Sequence, residues 1–168
     1  VESHTATTPA GKVGVVVIKS FSANTAEDVA EALASLRKGS PPSRLILDLR
    51  DNGGGLLQGG VDTAKLFLPG GKDVVYVNRG SGYVDKQMTS VVAPNSEVPS
   101  DKPAAPGGDV KTPLTVLVNR NTASAAEVLT AALRDNGRAT VVGERTFGKG
   151  VVQTVVGLQN GGGPAVAI

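Results

Sequence analysis

The sequence predicts an α/β fold, a mainly parallel sheet with flanking helices, and three observations carry that reading. Short β-branched runs bounded by polar residues alternate with helical-period segments of about a dozen residues. The 22 glycines and 10 prolines fall between those runs without a period, which marks loops and rules out a fibrous chain. Aromatic residues are only 3% of a chain that is 40% hydrophobic, so the core must be built from Val, Leu, Ile and Ala. At 168 residues the chain buries a substantial core, and one globular unit is expected.

Residues 1–10, V-E-S-H-T-A-T-T-P-A, read as a polar leader. G-K-V-G-V-V-V-I at 11–18 is too short for a helix and reads as a buried strand. From Thr25 to Lys38, Val29, Leu33 and Leu36 recur at helical spacing, with Thr25 and Asp28 placed as a capping box, until Gly39 and Pro41-Pro42 stop the helix. R-L-I-L-D-L at 44–49 is a second buried strand, ending in R-D-N-G-G-G. Leu57, Val61, Ala64 and Leu68 then mark a helix that ends before Pro69.

Residues 73–78 and 82–92 are expected to pair as a hairpin around R-G-S-G. The proline-rich stretch 93–110 reads as a surface excursion, a loop insertion with few large apolar residues. Residues 112–118 return to a buried strand. Ser124 to Asn136 forms a third helix with Leu129, Ala132 and Leu133 inward, closed by Gly137. Strands follow at 139–143 and 151–158, and 164–168 begins another. Strands alternating with helices imply right-handed crossovers.

Composition narrows the function classes. A formal charge of +2, evenly spread, is too small for a nucleic-acid footprint. The absence of cysteine excludes disulfides, a thiolate nucleophile and a thiolate metal site. The single histidine, His4, lies in the leader, which argues against a multi-histidine metal centre and a Ser/His/Asp triad. No metal or other cofactor is expected. No run approaches the roughly 20 apolar residues of a membrane span, and residues 1–10 lack the apolar core of a signal peptide.

Three places can hold chemistry. D-N-G-G-G at 51–55 lies between a strand and a helix, where successive backbone N–H groups can cradle an anion or a developing oxyanion; a sharp turn needing positive φ is the bland alternative. Ser124 opens S-A-A-E, a capping-box pattern with Glu127 reaching back; as a nucleophile it would sit at the positive end of a helix with the Ala125 N–H beside it, in need of a base. G-E-R-T-F-G-K-G at 143–150 nearly matches the phosphate-binding G-x-x-x-x-G-K-[ST], and L-I-L-D at 45–48 resembles a magnesium-binding strand, so a nucleotide hydrolase is one alternative. Against it, Gly150 replaces the magnesium-binding hydroxyl, and V-V-Q-T-V-V after the loop is strand-like where phosphates need a helix N-terminus. Lys149 is then either a surface charge or a lysine drawn inside, where burial favours the neutral amine that can take a serine proton. Gln153, of the same strand parity, could orient that amine.

Four blocks together resemble the carboxyl-terminal processing peptidases, also called tail-specific proteases. They are G-V-V-V-I-K-S-F-S-A-N-T at 14–25, L-I-L-D-L-R-D-N-G-G-G-L at 45–56, V-L-V-N-R-N-T-A-S-A-A-E at 116–127 and G-E-R-T-F-G-K-G-V-V-Q-T at 143–154, in the family's order. The resemblance implies a Clp protease/crotonase-like core and a serine endopeptidase that cuts near substrate C-termini with a Ser-Lys dyad. Carried over, Ser124 is the nucleophile, Lys149 the general base and Gln153 its orienting residue; the oxyanion donors fall on the N–H groups of Gly55 and Ala125. Asp135 matches a position important in some members and is read here as structural.

The partner implied is a protein or peptide with an extended C-terminal tail. The chain is expected to be part of the catalytic core, residues 11–168, without the family's peptide-binding PDZ domain. Ala126 stands where many members have Ser, and the 93–110 loop is longer than usual. The blocks lean toward the photosynthetic branch, which trims a photosystem II reaction-centre precursor in the thylakoid lumen, and bacterial periplasmic members share most of them. A catalytically idle, peptide-binding relative is the alternative of another class. Oligomeric state is not legible.

Overall fold

The computed structural model describes residues 1–78, 84–88, 105–149, 155–157 and 165–167. In chain order the elements are β1 (Glu2–Thr8), β2 (Gly11–Val17), α1 (Thr25–Leu36), β3 (Arg44–Asp48), α2 (Leu57–Phe67), β4 (Asp73–Asn78), β5 (Val84–Met88), β6 (Leu114–Val118), α3 (Ala125–Asp135), β7 (Ala139–Gly143), β8 (Val155–Gly157) and β9 (Ala165–Ala167). The central sheet has the order β1-β2-β3-β6-β7. From β2 to β7 all pairs are parallel, as the alternation of strand and helix predicts.

The β-branched runs fill the middle of the sheet because both of its faces are covered there. Val16 pairs with Leu47 and Leu47 with Val116 in register, and all three are buried. Val29 and Leu33 of α1, Val61 and Phe67 of α2, and Leu129 and Leu133 of α3 join them in one apolar cluster. The inward faces read from helical spacing are therefore the observed ones. Gly60 lets α2 approach α3 closely: a Cβ there would come within 2.9 Å of the Ala125 carbonyl oxygen.

Two details differ from the sequence expectation. The polar leader is a strand: β1 pairs antiparallel with β2 along its whole length, with all seven side chains exposed. It has no apolar face to reveal it, and its backbone ladder alone sets its position. The capping box at Thr25 and Asp28 does not form. Asn24 is the N-cap, and the buried Thr25 hydroxyl accepts the Ser22 N–H at 2.8 Å instead.

Of the proline-rich excursion, residues 93–104 fall outside the described residues. Its end is tied down. The Asp109 carboxylate accepts the N–H groups of Lys111 and Thr112, the Thr112 hydroxyl and the Arg37 guanidinium. Burial pushes that carboxyl up, and these hydrogen bonds outweigh it, holding it below its ordinary value. The buried Arg138 side chain adds bonds to the carbonyls of Phe67, Asp109 and Thr112. The expected hairpin pairing is observed: β4 and β5 pair antiparallel as a two-stranded sheet, and the R-G-S-G turn and residues 89–92 lie outside the described residues.

Candidate active site

Strands β3 and β6 end side by side, where Leu49 N–H donates to the Leu117 carbonyl at 2.9 Å. Carboxyl ends of parallel strands are where open α/β sheets bind ligands. Both strands run there into tight turns, residues 49–56 and 119–124, and the turns are bolted together. Asp51 N–H donates to Asn119 Oδ1 at 3.0 Å, while the side-chain amides of Asn121 and Asn119 donate to Asp51 Oδ1 at 2.8 and 2.9 Å. Those amides hold the Asp51 carboxyl below its ordinary value. The buried Thr122 hydroxyl donates to the Leu49 carbonyl at 2.8 Å, and Ala123 N–H to the Asn52 carbonyl at 2.9 Å.

Ser124 follows at φ 57 and ψ −121, a conformation that non-glycine residues rarely adopt. A serine on a sharp strand-to-helix turn presents its hydroxyl outward, the arrangement of other serine nucleophiles. Such strain costs on the order of 1–3 kcal/mol. Ser124→Gly is therefore expected to stabilise the fold by about 1 kcal/mol after glycine's own entropy cost, read as a thermal midpoint raised by roughly 2–4 °C. An unchanged or lower midpoint would contradict stored strain at Ser124.

As a cap, Ser124 forms the expected box with Glu127. Its N–H donates to Glu127 Oε2 at 2.9 Å. The Glu127 N–H faces the Ser124 side chain and also donates to the Ser124 carbonyl oxygen at 2.9 Å. The backbone under this cap is the unusual part, since an N-cap serine normally has extended geometry.

Glu127 has further partners. Its Oε1 accepts the Thr146 hydroxyl and the Gly148 N–H, each at 2.7 Å, and its Oε2 accepts the Lys149 N–H at 2.9 Å. Burial pushes this carboxyl up, and the bonds from Thr146, Gly148, Ser124 and Lys149 outweigh it, so the group sits below its ordinary value. One charged carboxylate thus fastens the lysine loop to the first turn of α3. The loop is held elsewhere by Phe147 N–H on the Thr122 carbonyl at 3.0 Å and Glu144 N–H on the Val118 carbonyl at 3.2 Å. Ser124 and Lys149 are both half-buried.

The glycine loop lies against the same turn. A Cβ built on Gly54 (φ 101) would stand 2.7 Å from Ser124 Cβ and 3.2 Å from Ala125 N, and one on Gly55 (φ 135) would stand 2.2 Å from the Phe21 carbonyl oxygen. Only glycine fits at either place. No hydrogen-bond partner is found for the N–H of Gly55 or Ala125 among the described residues.

The structure therefore brings Ser124, Ala125, the 53–55 loop and Lys149 into one neighbourhood. Gln153 lies outside the described residues. Asp135 is at the opposite end of α3 from Ser124, exposed and paired with Arg134 at 2.7 Å, which fits a role away from the chemistry. Beyond the 143–150 loop the described chain is strand, β8, with no helix to seat phosphates. Sequence reasoning missed Asn52 and Asp51 as anchors and gave Glu127 only its capping role. The D-N-G turn signal marked Asn52, but not its distant partners.

Comparison with known proteins gives one family. The model of peptidase family S41 matches residues 12–168. A carboxyl-terminal-processing protease of Synechocystis is 44% identical over 95% of this chain and 34% of its own length. The chloroplastic carboxyl-terminal-processing peptidase 1 of Arabidopsis thaliana is 42% identical over 93% of this chain and 29% of its own. Among solved structures, a photosystem II D1 C-terminal processing protease superposes with a TM-score of 0.71 at 39% identity, covering 94% of this chain and 36% of that one. The chain spans about a third of the length of these relatives. With the family model matching residues 12–168, a range that includes Ser124, Lys149 and Gly55, the chain belongs to peptidase family S41.

Proposed function

We propose that this chain is the catalytic part of a serine-type carboxyl-terminal processing endopeptidase that works through a Ser124–Lys149 dyad. The observation that carries the reading is the shared carboxylate oxygen: the Ser124 and Lys149 N–H groups both donate to Glu127 Oε2. Their backbone nitrogens are thus within twice a hydrogen-bond length of each other. The strained Ser124 backbone and the family supply the rest of the support.

In this reading the Lys149 amine takes the hydroxyl proton as Ser124 Oγ bonds to the scissile carbonyl carbon. The C=O π pair moves onto oxygen, where the Gly55 and Ala125 N–H groups hold it. Collapse breaks the C–N bond, and Lys149 returns the proton to the leaving amine. Water then repeats the sequence on the acyl-enzyme and releases a carboxylate. Gln153 orients the amine. An extended substrate tail docks as an added strand, which leaves its carbonyl accessible.

The two relatives named above are cyanobacterial and chloroplastic, which supports a thylakoid lumen or periplasmic setting. No helix among the described residues is long and apolar enough to cross a membrane. The test is to incubate the whole protein carrying this chain with an unstructured peptide and map products by mass spectrometry. Cleavage near the peptide's C-terminus, without metal or nucleotide and abolished in Ser124→Ala, is expected. No cleavage by the native protein, or equal cleavage by Ser124→Ala, would overturn the reading.

A further inference from the structure

We infer that Asn52 is a positioning residue that sets the oxyanion donors, an inference that rests on the proposed acyl-transfer chemistry at Ser124. Asn52 is fully buried, an uncommon place for an amide side chain unless every polar atom is engaged. Its Nδ2 donates to the Ile18 carbonyl at 2.8 Å, beyond the end of β2. Its Oδ1 accepts the Gly54 N–H at 2.8 Å. Its own N–H donates to the Leu49 carbonyl, and its carbonyl accepts the N–H of Ala123, the residue before Ser124. One residue thus joins the sheet, the glycine loop and the turn that carries the nucleophile.

Three consecutive glycines have no intrinsic preference for one orientation of their peptide planes. Two of those planes are fixed from outside. Asn52 Oδ1 takes the Gly54 N–H and so sets the Gly53–Gly54 peptide. Phe21 N–H donates to the Gly54 carbonyl at 2.9 Å and sets the next one. No peptide bond among the described residues is cis. In a trans peptide the carbonyl and N–H point in opposite directions, so the Gly55 N–H is turned away from Phe21. Without the Asn52 anchor the first plane is released, and the second is held by the Phe21 bridge alone. A donor that must reorganise during the reaction loses much of its value, because preorganisation is what makes an oxyanion site effective.

The test uses the whole protein with Asn52→Ala, Asn52→Ser and a Ser124→Ala control. Asn52→Ala is expected to lower kcat by roughly 10- to 100-fold with KM changed by less than about threefold, since the lost interaction is made in the transition state. Asn52→Ser should recover part of that loss, because a hydroxyl can accept the N–H two residues on, though more weakly than Asn. In the native protein the Gly54 amide is expected to exchange with solvent more slowly than those of Gly53 and Gly55, a measurement that no folding defect in a variant can obscure. Native kcat in Asn52→Ala, a loss confined to KM, or a Gly54 amide as fast as its neighbours would overturn the assignment while leaving the dyad intact. A Ser124→Ala control that still turns over would overturn the dyad and this assignment together.

Discussion

Ser124→Ala and Lys149→Ala are each expected to lower turnover by roughly 10⁴-fold or more while leaving the fold in place. The size follows from the roles proposed. Removing the hydroxyl leaves no atom to form the acyl bond, and removing the amine leaves the hydroxyl without a base, in a chain whose one histidine, His4, is in the exposed edge strand β1. The remaining rate comes from the oxyanion donors and substrate positioning. Neither side chain belongs to the apolar cluster, so the thermal midpoint of Lys149→Ala should stay near the native value. A tightly folded variant that turns over normally would place the base elsewhere.

Glu127→Ala is expected to lower kcat by roughly 10²- to 10³-fold, because a shift of about 1 Å in a reacting group costs on the order of 100-fold. Alanine removes the acceptor for four donors, three of them on the segment 146–149. The loop keeps its bonds at Glu144 and Phe147, so the damage falls on the end that carries Lys149. Glu127→Gln should rescue little. Both carboxylate oxygens accept backbone N–H groups, so an amide must aim its own NH₂ at one of them. Steady-state kinetics on the unstructured peptide check this, and native kcat in Glu127→Ala would contradict it.

The same group gives a pH dependence. Its carboxyl is depressed in the folded state, so its contribution to stability is present above the unfolded value of about 4.3 and is lost as pH falls through the lower folded value. The difference in unfolding free energy between the native protein and Glu127→Gln should be constant from neutral pH to about 5 and shrink below about 4. A difference that already vanishes near neutral pH would contradict the depressed carboxyl.

The β-branched runs and the helical spacing of Val29, Leu33, Val61 and Leu129 made the sheet and helices legible, because period and burial are local properties of sequence. β1 was not, since its side chains face solvent and its only signal is pairing with a strand that follows it. The site was legible in part. Spacing alone left Ser124 between a cap and a nucleophile; the structure shows the cap together with a strained backbone angle, which no residue type announces. Glu127 looked complete as a capping partner because its other partners lie about twenty positions away, at 146–149. Asn52 read as a turn residue, and its contacts with Ile18 and Ala123 exist only once three segments meet.

The dyad is tested most directly by kcat of Ser124→Ala, Lys149→Ala and the double variant on one unstructured C-terminal peptide. Two residues acting as one unit predict that all three fall to the same floor, roughly 10⁴-fold or more below the native protein. Losses that multiply in the double variant, or a Lys149→Ala protein working at the native rate, would contradict it.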